Sequence, residues 1–215
     1  MNLVLALDAA WGGTGWCLAS NHAPIRTGHV ALGARAWRWP ALIAFLESTI
    51  LDEVADAQLL QAPGDLPLRL VIEMPPAAYS GTERWAKPGA VKKPAGNQAL
   101  TGYGLGTLSG ALQLWWCMQP GLGYPWLVQP MVWRRWMGVG GTGRSARKAA
   151  AIESCQFRGW GRFLEGHRNN AKDGGAMGDV AESMLLAVGA ARNILDAPVG
   201  PAPKRPATKT TRIPR

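Results

Sequence analysis

Four acidic residues, Asp8, Glu73, Asp179 and Glu182, each stand at the end of an apolar run, where a carboxylate has chemistry to do. Asp8 closes the run Leu3–Leu7, Glu73 closes Leu68–Ile72, and Asp179 and Glu182 open the apolar stretch 179–195 three residues apart. Taken singly, each has an ordinary use: Asp8 as a turn former, Asp179 as a helix N-cap, Glu182 as a solvated first-turn acid. The three-residue spacing puts Asp179 and Glu182 on one face of a helix. Together the four make a set of oxygen donors with no His or Cys companion, which is the ligand chemistry of hard cations such as Mg²⁺ or Mn²⁺. Crowded carboxylates repel one another and are driven towards protonation, and a bound divalent cation removes that penalty. Asp173, in the Gly/Asn-rich loop before the last helix, is a rival ligand.

The elements that must position these acids follow from the pattern of apolar residues. Leu3–Leu7, Trp16–Ala19 and Ile25–Leu32, separated by turn-rich segments, predict three short strands in hairpins. Residues 40–58 place Leu42, Phe45, Leu46, Ile50 and Val54 at helical spacing behind Pro40. Leu68–Met74 reads as a strand stopped by Pro75-Pro76, residues 98–118 as a helix, and Trp126–Gln129 as a strand. Helices are expected over Pro130–Met137, Ser145–Phe157 and Asp179–Leu195. Strands first, then alternating helix and strand, define an α/β domain with a mixed central sheet flanked by helices. The expected organisation is one domain over residues 1–197 and a basic, Pro-rich disordered tail over 198–215.

With 47% hydrophobic residues in 215, the chain has enough apolar material for a real core, which excludes a disordered polyelectrolyte. Cys17, Cys117 and Cys155 form no CxxC pair, so reduced thiols and a cytoplasmic location are expected. The N-terminal run meets Asp8 and has no basic residue before it, unlike a signal peptide. Thr101, Tyr103, Thr107, Ser109 and Gln113 interrupt the uncharged helix 98–118, so no membrane span is expected. Gly102, Gly106 and Gly110 recur on one face of that helix, suited either to packing on the sheet or to close contact with another helix.

The net charge of +9 is unevenly placed. Residues 1–75 carry a net −3, residues 76–148 a net +8, residues 149–197 a net −1, and the tail +5. A basic middle set against a near-neutral body points to a polyanionic partner, nucleic acid first. In the loop after Glu73, Arg84, Lys87, Lys92 and Lys93 are interleaved with Tyr79 and Trp85, a pattern in which cations track phosphates and aromatic faces stack on unpaired bases. Arg144, Arg147 and Lys148 form a second basic group beside Arg134 and Arg135, with Arg144 and Lys148 four apart on one helical face as phosphate contacts. Trp16, Trp115, Trp116, Trp126 and Trp133 sit in apolar stretches and are expected in the core. The GxGxxG match at Gly138–Gly143 follows a predicted helix instead of a strand and does not read as a dinucleotide site. His22, His29 and His167 are scattered, with no nucleophile pattern around them, and read as surface or internally satisfied side chains.

In this order, LALDAAWGGTGWCLA, LVIEMPP and GDVAESMLLAVGAA resemble the RuvC family of Holliday-junction resolvases, within the RNase H-like nuclease superfamily. The family's Asp on the first strand is matched by Asp8, its "TG-aromatic" strand by Thr14-Gly15-Trp16, its central-strand Glu by Glu73, and its pair of helix acids by Asp179 and Glu182. NQALTGYGLGTLSGAL resembles the family's small-residue dimerisation helix, and MGVGGTGRSARKAAAIE its Gly-rich turn and basic helix. The sequence departs from the pattern at Ala9-Ala10, where the family has Pro-Gly, and at Glu182, where Asp is usual. The resemblance implies an RNase H-like fold and a homodimer that cuts branched DNA (the four-way junction) by paired symmetric nicks. It also implies two Mg²⁺ or Mn²⁺ ions per active site, held by Asp8, Glu73, Asp179 and Glu182 with Asp8 bridging, about 3.5–4 Å apart as in other two-metal sites. A related nuclease acting on structured RNA or other branched DNA, or a catalytically weak junction-binding protein, would carry the same acids.

Overall fold

A computed structural model describes residues 2–10, 12–32, 38–74, 96–169 and 175–196; for Arg38, residues 96–104 and Asp196 the backbone alone is described. The first three strands are β1 (Leu3–Asp8), β2 (Thr14–Ser20) and β3 (Pro24–Val30), joined as antiparallel neighbours. Helices α1 (Arg38–Phe45) and α2 (Leu51–Leu60) lead to β4 (Arg69–Glu73), which returns parallel to β1. Helix α3 (Gly96–Cys117) precedes β5 (Gly123–Val128), parallel to β4, and α4 (Pro130–Met137), α5 (Arg144–Phe157) and α6 (Gly175–Arg192) complete the domain. The sheet order is β3-β2-β1-β4-β5, the mixed α/β architecture that the alternation of elements predicts.

Side-chain alternation sorts the strands into two layers. Leu3, Leu5 and Leu7 of β1, with Leu70 and Ile72 of β4, face a core built with α1, α2 and α3. Val4 and Ala6, with Cys17, Ala19 and Val71, face α4, α5 and α6. By the same period of two, Asp8 follows Ala6 and Glu73 follows Val71 onto the α6 side. The register pairs Leu7 with Ile72, so both acids emerge at the carboxyl ends of adjacent parallel strands. Small residues on that face let α6 lie close to the sheet, and every residue from Val180 to Ala191 is buried, as befits a helix that is apolar all round. At Gly15 the approach is tightest: a Cβ there would lie 2.3 Å from the Asp179 carbonyl oxygen.

Three sequence expectations change. The helix expected over 40–58 is interrupted by one π turn, Leu46–Ile50, where Ser48 Oγ donates to the Ala44 carbonyl at 2.6 Å. Helix α6 begins at Gly175, so Asp179 lies a full turn inside it and is not its N-cap. Among the described residues, a Cβ at Gly106 or Gly110 would meet nothing within 4 Å, so these glycines do not pack on the sheet; Leu108 and Leu112 do so from the opposite side of α3. Trp16, Trp116 and Trp133 are buried as expected, whereas Trp115 and Trp126 are half-buried against the core. Among the described residues, no helix is long and apolar enough to cross a membrane. The tail after residue 196 and the rival ligand Asp173 lie outside the described residues.

Candidate metal centre

Asp8, Glu73, Asp179 and Glu182, drawn from β1, β4 and α6, converge at one end of the sheet. Ligand oxygens of Asp8, Asp179 and Glu182 lie within 4.8 Å of one another. Glu73 is held beside this trio: the indole Nε1 of Trp133 donates to its Oε2 at 2.6 Å, and the Arg134 guanidinium lies 3.8 Å from its Oε1. Arg134 also reaches Glu182 Oε1 at 3.3 Å and stacks over the Trp133 ring. Lys148 Nζ donates to Asp179 Oδ1 and lies 3.9 Å from Glu182 Oε2. His29 Nε2 lies 3.2 Å from Asp179 Oδ2.

The electrostatics are those of negative charge concentrated in a poorly hydrated place. Burial, then repulsion from Glu182, Glu73 and Asp179, pushes the Asp8 carboxyl well above its usual range. Burial and Glu182 push Glu73 up to about 7, against the pull of Arg134 and the Trp133 hydrogen bond. Glu182 is raised as well, by burial above all, with Lys148 and Arg134 opposing. Asp179 goes the other way: burial raises it, but hydrogen bonds from His29 and Lys148 outweigh that and leave it below the ordinary carboxylate value. Fully ionised, the four carboxylates would exceed the two cations in ion-pair contact with them, Lys148 and Arg134, by a formal charge of −2. Oxygen donors, mutual repulsion and that residual charge together fit a hard divalent cation.

The remaining sequence-predicted residues fall into three groups. Tyr79, Arg84, Trp85, Lys87, Lys92 and Lys93 lie outside the described residues. Arg144 is exposed at the start of α5, and Arg147 is half-buried with its charge felt at Glu73. Lys148 requires a correction: it does not share an outer face with Arg144 but is buried at 4% exposure inside the carboxylate cluster. Its stem is accommodated by Gly178 of α6, where a Cβ would lie 2.7 Å from Lys148 Cδ. Sequence reasoning read Trp133 only as core and so missed its bond to Glu73; His29, read as a surface or internally satisfied side chain, is the latter, but its partner Asp179 was not foreseen. The signal available for Trp133 was its place in the first turn after Pro130, on a helix leaving β5, the strand beside Glu73. His29 offered no local signal, since its partner is 150 residues away. The Gly138–Gly143 match joins α4 to α5, and Gly138 is a left-handed helix cap at φ 67°, so the rejection of a dinucleotide loop holds.

No protein-family model matches the sequence, and no curated protein matches it either. Solved structures do match. The chain aligns with Thermus thermophilus RuvC in complex with Holliday junction substrate at a TM-score of 0.53, covering 91% of this chain and 96% of that one at 13% identity. A second Thermus thermophilus RuvC structure aligns at 0.46, covering 90% and 96% at 11% identity. The domain therefore has a RuvC-like fold, an RNase H-like mixed sheet flanked by helices, as the order of motifs in the sequence implied.

Proposed function

We propose that the chain is a metal-dependent endodeoxyribonuclease that resolves four-way DNA junctions by paired symmetric nicks. The observation that carries this reading is the convergence of four carboxylates from three elements at one end of a RuvC-like sheet. Asp8, Asp179 and Glu182 would hold one divalent ion, and Glu73 with Asp8 a second, Mg²⁺ or Mn²⁺ in either place. When bound, such ions supply Lewis acidity to the attacking water and to the departing 3′-oxygen of the scissile phosphate. The chain's own residues prepare the site for this. Trp133 and Arg134 hold Glu73 in place and oppose the burial that raises its carboxyl, Lys148 offsets the charge of Asp179 and Glu182, and burial around Glu182 keeps competing water away.

Substrate grip falls to other residues. Arg144 and Arg147, at the start of α5, are the phosphate contacts nearest the carboxylates. Arg84, Lys87, Lys92 and Lys93 extend that grip, and Tyr79 and Trp85 stack on bases unpaired at the crossover. Matched nicks in a two-fold substrate require two equivalent sites, which a homodimer supplies. Gly106 and Gly110 of α3, which meet no neighbour among the described residues, suit that assembly. Cytoplasmic DNA is the expected location of the substrate.

The test compares Mg²⁺-dependent nicking of a four-way junction, the matching linear duplex and an RNA–DNA hybrid of the same sequence. Preference for the junction, with symmetric cuts leaving 5′-phosphates, supports the proposal. Preference for the hybrid replaces it with a ribonuclease of the same superfamily, and binding without cutting replaces it with a junction-binding protein.

A further inference from the structure

The β2 line carries no side chain on its α6 side at Gly13 and Gly15, where it passes beneath Asp179. Gly13 and Gly15 lie two residues apart, so they share the α6-facing side of the β2 line. His29 of β3 is the register partner of Gly15 and therefore points to the same side. The two glycines open a channel between His29 and α6. A Cβ at Gly15 would strike the Asp179 backbone at 2.3 Å, and a Cβ at Gly13 would lie 2.5 Å from His29 Nε2. Across this gap the imidazole Nε2 meets Asp179 Oδ2 at 3.2 Å. Since an ionised carboxylate only accepts, Nε2 carries the hydrogen and donates it.

We infer that His29 is a positioning residue for the metal centre: its hydrogen bond to Oδ2 fixes the rotation of the Asp179 carboxylate, which shares the cluster with Asp8 and Glu182. Both oxygens of Asp179 are engaged by side chains, Oδ2 by His29 and Oδ1 by Lys148. A carboxylate free to rotate must lose that freedom when it binds a cation, and a hydrogen bond to its non-ligating oxygen removes the loss in advance. The His29 and Asp179 side chains are 17% and 15% exposed, so water competes weakly for the bond. This inference rests on the metal-binding reading of the cluster and assigns the residue that orients one of its ligands.

The experiment measures Mn²⁺ affinity of the metal-stripped full-length protein by electron paramagnetic resonance, with folding checked by thermal melting in EDTA. His29→Ala is expected to weaken Mn²⁺ binding about 10-fold or more, the usual scale for loss of an outer partner of a metal ligand. His29→Gln, whose side-chain amide places an N–H donor where Nε2 stands, is expected to stay within about threefold of wild type. Gly13→Ala, which displaces the imidazole without touching it chemically, is expected to weaken binding as His29→Ala does. In a His29→Ala background it should add nothing. The inference is overturned if His29→Ala binds Mn²⁺ as wild type does, if His29→Gln is as weak as His29→Ala, or if the Gly13 and His29 losses add. A wild-type chain that binds no Mn²⁺ overturns both this inference and the metal reading. One that binds Mn²⁺ yet cuts no junction removes the nuclease reading alone, and the affinities still decide the role of His29.

Discussion

Asp8 is the most heavily repelled acid of the cluster, pressed by burial and by three carboxylate neighbours at once. In the metal-free protein it is a source of strain, and Asp8→Asn is expected to melt higher than wild type in EDTA at pH 7 while losing Mn²⁺ affinity. A lower melting temperature would contradict the repulsion. Glu73 gives the same physics a pH signature. Its carboxyl is raised from an ordinary 4.5 to about 7, so between those values the folded chain holds a proton that the unfolded chain has released. Its contribution to stability is complete below about 4.5 and lost as pH climbs through about 7. Asp179, held low, contributes with the opposite sign and only loses that contribution below its ordinary 3.8, outside this window. Comparing wild type with Glu73→Gln reads Glu73 together with its repulsion of Asp8 and Glu182 and cancels the titrating groups outside the cluster. The melting temperature of Glu73→Gln relative to wild type in EDTA should rise between pH 5 and 7.5, by roughly 5 °C. A difference that stays flat would show that Glu73 ionises normally.

Elements bring these acids together, and most of that geometry was legible in the sequence. The ends of the apolar runs located Asp8 and Glu73 at strand ends, and the three-residue spacing fixed the shared face of Asp179 and Glu182; the sheet face of the strand acids was not legible, because Leu3–Leu7 and Leu70–Ile72 are apolar on both sides. The positive partners were not legible. Lys148 reads as one more cation of a basic helix, because nothing local shows that Gly178, thirty residues on, vacates the space its stem fills. His29 reads as a surface or internally satisfied histidine with no partner named, because the glycines that clear its path to Asp179 look like ordinary turn formers. The π turn at Leu46–Ile50 was hidden as well, since its apolar spacing is compatible with a continuous helix. The tightest element contact supplies a prediction. Gly15→Ala drives a Cβ into the Asp179 carbonyl, and because both atoms belong to backbone, α6 itself must shift. The expected result is a destabilisation of about 1–3 kcal/mol together with loss of Mn²⁺ affinity, read by melting and titration. Unchanged metal binding would show that α6 tolerates the displacement without moving its acids.

At the scale of the molecule, the +9 net charge resolves into parts with different work. The tail carries +5, and the basic middle segment contributes two of its cations, Arg134 and Lys148, to the carboxylate cluster instead of to an outer face. Enough cations remain on Arg144, Arg147 and the loop after Glu73 to engage about six phosphates, which predicts a slope of log K against log[salt] near −5 for junction binding. A flat response would mean that these residues face away from the DNA. If paired nicking is the activity, the protein in solution is a dimer, and light scattering at micromolar concentration should give twice the 23.0 kDa chain mass. The most direct measurement of the central claim is single-turnover cleavage of a four-way junction with Mg²⁺, run on wild type, Asp8→Asn and Glu73→Gln alongside junction binding in EDTA. The account predicts paired nicks by wild type, a loss of more than about 100-fold in both variants, and junction affinity that is undiminished in either. Cleavage by the variants within a few-fold of wild type would contradict it.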